Sequence, residues 1–104
     1  MKTEPLDRAE VKFLRALAHG LKPVVRLGQN GLSDAVSREL DGALTRHELV
    51  KVKLAADSRA ARDAQLAALA ATAGAAVVQR VGHTATLFRR NRERPRIDLS
   101  AARG

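Results

Sequence analysis

A four-residue stretch with glycine at both ends, Gly28-Gln29-Asn30-Gly31, is the first candidate for chemistry in this sequence. Glycine has no Cβ, so its backbone can come close to a ligand, and a helix that follows such a loop offers unpaired N–H groups to an anion. Loops of this G-x-x-G kind can clamp a nucleotide backbone. Asn-Gly is also a common turn pair, so the four residues alone predict either an ordinary tight turn or a phosphate-binding loop.

Two further observations narrow what this loop can bind. The sequence has neither the third glycine of a dinucleotide fingerprint nor the Gly-Lys-Ser/Thr of a P-loop, so we predict no nucleotide cofactor. Lys22 and Arg26 lie within six residues upstream of the loop, where their charges favour a phosphate backbone as the ligand. The competing interpretation is that both are ordinary solvated side chains.

A second group of cations lies near the end of the sequence. Its members are Arg89, Arg90, Arg92, Arg94 and Arg96, with Glu93 among them. A run of this kind predicts either phosphate contact or a solvated tail, although Arg89 follows a strand directly and should be held by the sheet. Lys51 and Lys53 lie on one side of another strand, where they either extend the positive surface or form its ordinary polar side.

The overall charge favours a polyanionic partner. The chain has 19 Lys and Arg against 11 Asp and Glu, a net charge of +8, and 14 of the 19 are arginines, whose planar donors suit phosphate oxygens. The excess is concentrated in residues 1–32, with a net charge of +3, and residues 89–104, with +4. We therefore predict salt-sensitive binding to a polyanion. The alternative is that the charge only keeps a small protein soluble.

Several classes of protein are disfavoured by what the composition lacks. The chain has no cysteine, which excludes disulfides, thiolate catalysis and cysteine-based metal sites, and which fits a reducing cytoplasm. No stretch approaches the roughly 18 to 20 apolar residues of a membrane span. The first residues, MKTEPLDRAE, carry acids where a signal peptide needs an apolar run, so we expect no secretion by that route.

The residue types also disfavour an enzyme. His19, His47 and His83 lack the i, i+4 spacing of a zinc-binding helix and fall at helix ends and turns, so we predict no metal site and no catalysis. The only aromatic residues are Phe13 and Phe88, and Phe13 is expected in the core. Without an aromatic platform for stacking bases, recognition should be mainly of backbone and shape.

Helical periodicity predicts three helices to position these residues. They cover residues 8–19, residues 34–46, and a third segment that begins after Asp57 or Ser58 and ends at Gly74. Asp7 with Glu10 has the spacing of a capping box, and Ser33 is a good N-cap for the second helix. These caps place the start of the second helix directly after the glycine loop.

Runs of β-branched residues predict four strands, over residues 24–27, 49–54, 76–81 and 84–88. Gly82 and His83 separate the last two strands as a hairpin turn. The order α-β-α-β-α-β-β predicts an α/β (α+β sandwich) domain, a four-stranded mixed sheet with both crossover helices on one face. The sequence after Arg90 is polar and contains Pro95, and we assign residues 1–96 to this single domain and residues 97–104 to a flexible tail.

A longer pattern of residues carries a family resemblance. The stretch LRALAHGLKPVVRLGQNGLSDAV, followed by HELVKVKL, resembles the CRM domain family (chloroplast RNA splicing and ribosome maturation), and in particular its stand-alone YhbY-like bacterial members. The resemblance runs from about Leu14 to Arg96. Its pieces, A-H-x-L-K-P, L-G-x-N-G-L and H-E-L-x-K-V-K, occur in the right order with fitting spacing.

This resemblance implies an RNA-binding domain similar in fold to the C-terminal domain of translation initiation factor 3, in a family whose bacterial members associate with precursors of the large ribosomal subunit. The family's loop maps onto Gly28, Gln29, Asn30 and Gly31, and its basic neighbours map onto Lys22, Lys51, Lys53 and Arg89. Phe88 replaces an expected tyrosine and Arg90 an expected proline. These departures, with the arginine-rich tail, bear on contacts of the tail and not on the fold.

The sequence therefore predicts a cytoplasmic, monomeric, non-enzymatic protein that binds ribosomal RNA during large-subunit assembly, without a cofactor, a small-molecule substrate or a membrane. The predicted RNA-contacting residues are Lys22, Arg26, Gly28, Gln29, Asn30, Gly31, Lys51, Lys53, Arg89, Arg90, Arg92 and Arg94. The alternative is a protein-interaction module whose basic face binds an acidic ribosomal or assembly protein. DNA is a weaker alternative, because no predicted helix is basic enough to be a recognition helix.

Overall fold

Three α-helices and four β-strands alternate in the computed structural model, which describes residues 5–28 and 31–103. The helices are α1 (Arg8–Ala18), α2 (Asp34–His47) and α3 (Arg59–Ala73). The strands are β1 (Pro23–Arg26), β2 (Leu49–Lys53), β3 (Ala76–Val81) and β4 (Thr84–Phe88), and a short 3-10 helix covers Leu99–Arg103. The predicted order of helices and strands is confirmed.

Local side-chain chemistry fixes where the helices begin. At α1, the Asp7 carboxylate accepts the Glu10 N–H at 2.8 Å, and the Glu10 carboxylate accepts the Asp7 N–H at 3.0 Å, which completes the predicted capping box. Ser33 caps α2 and Ser58 caps α3 through their hydroxyl oxygens. Of the two candidates for the third cap, Ser58 and not Asp57 therefore takes the role.

The four strands form one mixed sheet in the order β1-β2-β4-β3. β1 runs parallel to β2, with Arg26 opposite Lys53, whereas β4 runs antiparallel to both β2 and β3. The parallel pair requires a crossover, which α2 supplies, and the hairpin turn at Gly82 joins the antiparallel pair. Gly82 has φ of 58°, a conformation that favours glycine in such a turn.

Each face of the sheet has its own apolar core. The larger core lies against α2 and α3, and its fully buried members include Val25, Leu40, Leu44, Val52, Leu69 and Leu87. The smaller core lies under α1 and includes Leu14, Ala18, Leu49, Val78, Phe88 and Leu99, with Phe13 packed against it. Both crossover helices share one face, as predicted, and α1 covers part of the opposite face.

The chain after β4 packs against α1 and the sheet. Leu99 is buried in the smaller core, and the Arg103 guanidinium pairs with the carboxylates of Asp7 and Glu10 at the start of α1. The predicted flexibility of residues 97–104 concerns motion and stays a prediction. No helix in the described residues is long and apolar enough to cross a membrane.

Candidate nucleic-acid interface

The glycine loop leaves the sheet at the ends of β1 and β2. Leu27 N–H donates to the Lys53 carbonyl at 2.9 Å, which continues the parallel pairing up to the loop. Gly31 N–H then donates to the Gly28 carbonyl at 2.9 Å, which closes a tight turn. Gln29 and Asn30, both predicted to contact RNA, lie outside the described residues. The turn predicted from the Asn-Gly pair is therefore present between the two glycines.

Gly28 and Gly31 differ in backbone conformation and in the space available for a side chain. Gly31 has φ of 72°, and a Cβ there would lie 3.2 Å from Nε2 of Gln65, whose Oε1 accepts the N–H groups of Ala55 and Ala56. A Cβ on Gly28 would have no described neighbour within 4 Å, and Gly28 is not among the glycines with positive φ. The turn therefore accounts for Gly31, whereas no contact within the described protein requires Gly28 to lack a side chain.

Side chains of the protein itself already bond to, or compensate the charge of, the N-terminal end of α2 beside the loop. The Ser33 hydroxyl accepts the Val36 N–H at 3.2 Å, and Asp34 places a carboxylate in the first helical turn. That carboxylate compensates the positive end of the helix dipole and repels phosphate. The attraction of this helix end for RNA is therefore weaker than the loop-plus-helix pattern indicates.

Three cations share the sheet face that points away from α2 and α3. Arg26, Lys51 and Lys53 alternate with buried Val25, Val50 and Val52, so they extend from the opposite face, and strand pairing puts Arg26 beside Lys53. None of the four described strands contains Asp or Glu. We call this group, together with Gly28, the loop-end surface.

Lys22 lies further from the loop than its sequence position indicates. It precedes Pro23, which pairs with Lys51, and it lies four extended residue steps before Arg26, a distance of about 13 Å. Lys22 is exposed and adjoins the Lys51 level of the sheet. It can therefore extend the loop-end surface along β1, but it does not flank the loop itself.

Arg89 lies at the opposite end of β2 and faces the α2 and α3 side. Its guanidinium donates to a carboxylate oxygen of Asp41 at 2.8 Å, and to the Asp41 carbonyl, the Thr45 hydroxyl and the Ala73 carbonyl at 2.9 Å each. Only 19% of the side chain is exposed. These bonds join the ends of α2 and α3, and the predicted contact of Arg89 with RNA stays a prediction.

Glu48, at the junction of α2 and β2, is the residue that the sequence analysis missed. Its side chain is fully buried, and its carboxylate accepts the N–H groups of Asn91 at 2.7 Å, Arg96 at 2.6 Å and Ile97 at 2.7 Å. Its own φ is 63°, unusual for a residue with a side chain. An acidic residue directly before a buried strand was the available signal, because such a position needs donors from elsewhere in the chain.

The exposed arginines after β4 lie on a loop whose backbone Glu48 and Asn91 hold. The Asn91 amide donates to the Thr45 carbonyl at 3.0 Å, and its oxygen accepts the N–H groups of Glu93 and Arg94 at 3.1 Å each. The exposed side chains on this loop are Arg90, Arg92, Arg94 and Arg96. We call residues 90–96 the arginine loop.

The loop-end surface and the arginine loop lie at opposite ends of the sheet. Leu49 pairs with Phe88 at one end of β2, next to the arginine loop, and Lys53 pairs with Arg26 at the other. Five strand residues span about 13 Å between these ends. The structure therefore brings Arg26, Lys51 and Lys53 together, but it does not bring them together with the arginines after β4.

The remaining titratable groups matter for two properties, metal binding and shifted pKa values. Within residues 5–28 and 31–103, no group of three or more His, Asp or Glu side chains could hold a metal ion. The pKa of Asp98 is lowered by hydrogen bonds from the Ser100 hydroxyl at 2.6 Å and the Ser100 N–H at 3.0 Å, and by the charge of Arg90. The shift has a structural cause, a turn that begins the 3-10 helix.

Comparisons with known proteins agree with this fold. The family model of the CRS1 / YhbY (CRM) domain matches residues 6–89. A Haemophilus influenzae relative named RNA-binding protein is 42% identical over 85% of this chain and 89% of its own length. A Pseudomonas aeruginosa relative, named probable RNA-binding protein, is 40% identical over 91% of this chain and 90% of its own length.

A solved structure gives the same result for the architecture. A hypothetical protein of Staphylococcus aureus, solved in solution, superimposes with a TM-score of 0.80 at 23% identity and covers 90% of this chain and 98% of its own. At that identity the likeness shows the fold. The family match over residues 6–89, with the two relatives at 42% and 40% identity, establishes that the chain belongs to the CRS1 / YhbY (CRM) domain family.

Proposed function

We propose that this protein binds RNA, and that its target is ribosomal RNA in precursors of the large ribosomal subunit. Its relatives are named as RNA-binding proteins, and the family resemblance implies the ribosomal target. The acid-free sheet face beside Gly28 is the observation that carries this function, because three cations point from it with no carboxylate on the strands to neutralise them. In this proposal the protein acts as a cytoplasmic monomer, without catalysis.

The loop-end surface fits a phosphate backbone better than it fits bases. Arg26 and Lys53 lie side by side, and each can neutralise one phosphate. Val24 beside them is 51% exposed, but no aromatic residue of the described strands lies on the open part of this face. Contacts to phosphate position a protein on RNA without reading sequence, so we expect recognition of RNA shape.

Gly28 is proposed to let the RNA backbone approach the loop. Its lack of a side chain has no explanation in the described packing, whereas the turn itself explains Gly31. The Gly28→Leu variant should therefore fold normally and bind structured ribosomal RNA several-fold more weakly. Gly20→Leu is the matched control, because Gly20 is also open on all sides and is remote from the loop. Equal RNA affinity of both variants would leave the tight turn as the only role of the loop.

Two double variants that each remove two positive charges, one pair on the loop-end surface and one pair elsewhere, test the electrostatic part of the proposal. Replacing Lys51 and Lys53 by Ala should reduce the slope of log K against log salt concentration by about 1.5 to 2 for binding to a ribosomal RNA fragment. The control replaces Arg38 and Arg59, exposed on α2 and α3, by Ala. The same loss of affinity in both double variants would show that only net charge matters, and would remove the loop-end surface as a site.

The cellular target needs a separate experiment. Crosslinking of the protein to RNA in cells, followed by sequencing of the attached RNA, should recover large-subunit ribosomal RNA and its precursor sequences. Recovery of an acidic ribosomal or assembly protein without RNA would instead support the protein-interaction alternative.

A further inference from the structure

We propose that Glu48 is a positioning residue that holds the arginine loop as a second, preformed surface for RNA phosphate. This surface would act at the opposite end of the sheet from the loop-end surface. The inference rests on the proposed RNA-binding function and deepens it, because it assigns a fixed role to a segment that the sequence pattern predicts equally well as a solvated tail.

The Glu48 carboxylate is the link between the arginine loop and the fold. It is fully buried and accepts three backbone N–H groups, two of which belong to Arg96 and Ile97, 48 and 49 residues further along the chain. Hydrogen bonds to an ionised acceptor are about twice as strong as neutral ones, and a buried carboxylate needs such donors. The two ends of the arginine loop, at Asn91 and Arg96, are thereby fixed to a single side chain.

The middle of the arginine loop is fixed as well. Asn91 bonds to the backbone of α2 at Thr45, and its side-chain oxygen accepts the N–H groups of Glu93 and Arg94. Pro95 further restricts the backbone between Arg94 and Arg96. The arginines of this loop therefore extend from a backbone that is ordered before any ligand binds, which lowers the entropy cost of binding.

The chemistry of the arginine loop favours RNA over a protein partner. Residues 90–96 carry four arginines against one acid, Glu93, and contain no aromatic or large aliphatic residue. Protein–protein interfaces are built around aromatic and aliphatic anchors, and this loop has none. Guanidinium groups match the oxygens of phosphate in pairs. A phosphate backbone is therefore the partner that the exposed side chains can hold.

The Glu48→Gln variant separates positioning from simple charge. It removes one negative charge, so an unheld cationic tail would bind RNA equally or more tightly. If Glu48 positions the arginine loop, binding should instead weaken, by about fivefold, because Gln keeps only one acceptor oxygen and turns an NH2 group toward at least one of the three N–H groups, which loosens the loop. Glu39→Gln is the matched control, since it makes the same change of charge at an exposed position of α2.

A second variant keeps the test decisive if Glu48→Gln folds poorly. Asn91→Ala leaves the charge unchanged and removes the three bonds that the side chain makes to Thr45, Glu93 and Arg94, and we expect a smaller loss of affinity, about threefold. Amide hydrogen exchange should show faster exchange at Arg96 in both variants, with β2 still protected. RNA affinity is then compared at a temperature where every variant is folded.

The outcomes distinguish this inference from the proposed function. If the wild-type chain does not bind structured ribosomal RNA, both fail. If the wild type binds, and both variants expose the Arg96 amide yet keep wild-type affinity, the positioning role of Glu48 is overturned while RNA binding stands. Weaker binding by Glu48→Gln and Asn91→Ala, with Glu39→Gln unchanged or slightly tighter, supports it.

Discussion

The two ends of β2 use cations in different ways. At the loop end, Arg26 and Lys53 extend from a face whose strands carry no acid. At the other end, the Arg89 guanidinium donates hydrogen bonds to Asp41, Thr45 and Ala73. A positive residue in a basic protein can therefore be bound within the fold or stay exposed on its surface, and the number of internal acceptors around it decides which.

Glu48→Ala should cause the largest loss of stability, and it tests directly the end of β2 next to the arginine loop. Removing the buried carboxylate leaves the partly buried N–H groups of Asn91, Arg96 and Ile97 without their acceptor, so we expect the free energy of unfolding to fall by roughly 3 kcal/mol. Urea denaturation measures this loss. A change below 1 kcal/mol would mean that water replaces the carboxylate, and that this end is no more tightly held than the loop end.

Glu48→Gly provides the control for backbone conformation. The φ of 63° is strained for a residue with a Cβ and is free of that strain for glycine. Glu48→Gly should therefore be about 1 kcal/mol more stable than Glu48→Ala, although glycine is ordinarily the more destabilising residue. The opposite order would show that the positive φ costs residue 48 less than the ordinary destabilising effect of glycine.

Arg89→Ala should give the next largest effect, and it sharpens the contrast with Lys53→Ala. Removal of Arg89 takes away the donor of the Ala73 carbonyl and of the Asp41 carboxylate and breaks the bonds that join α2 to α3, so we expect a loss of about 2 kcal/mol in the free energy of unfolding. Lys53→Ala should change stability by less than about 0.5 kcal/mol. Similar losses from both changes would remove the distinction between cations that serve the fold and cations that serve the ligand.

Alanine substitutions at the two loop glycines should differ in stability by a smaller amount. Gly31→Ala forces a side chain into positive φ and against Gln65, at a cost of about 1 to 2 kcal/mol in thermal unfolding experiments. Gly28→Ala, with open space around it, should lie within about 0.5 kcal/mol of the wild type. Equal destabilisation by the two changes would mean that the turn requires both glycines and leaves none for a ligand.

The ionisation of Asp98 should make the smallest contribution to the stability of the protein. Because its pKa is lowered from the ordinary 3.8, its stabilising contribution is fully present above that value and is lost as the pH falls through the lowered pKa. Ser100→Ala removes the main cause, the hydroxyl bond, so the pKa should rise toward 3.8. An NMR titration of the Asp98 carboxyl group measures this, and an unchanged pKa would assign the shift to the backbone N–H of residue 100 and to Arg90 instead.

The order of helices and strands was predictable because it rests on local signals. The Asp7–Glu10 capping box and the alternation through Val50 and Val52 act over a few residues, and both occur as predicted. The role of Glu48 was not predictable in this way. Its three donors lie 43 to 49 residues away, and nothing near it in the sequence shows that the chain will return to it.

The sequence by itself determined the helices, the strands, the caps of the first two helices and the excess of positive charge, because periodicity, capping and charge are properties of neighbouring residues. Only the tertiary structure decided that Arg26 and Lys53 lie together, that Arg89 turns inward, and that Glu48 holds the arginine loop. Those outcomes depend on strand register and on burial, which bring acceptors from distant parts of the chain to some cations and leave others facing solvent. The two glycines of the loop differ in the same way, since the turn explains Gly31 and no described contact explains Gly28.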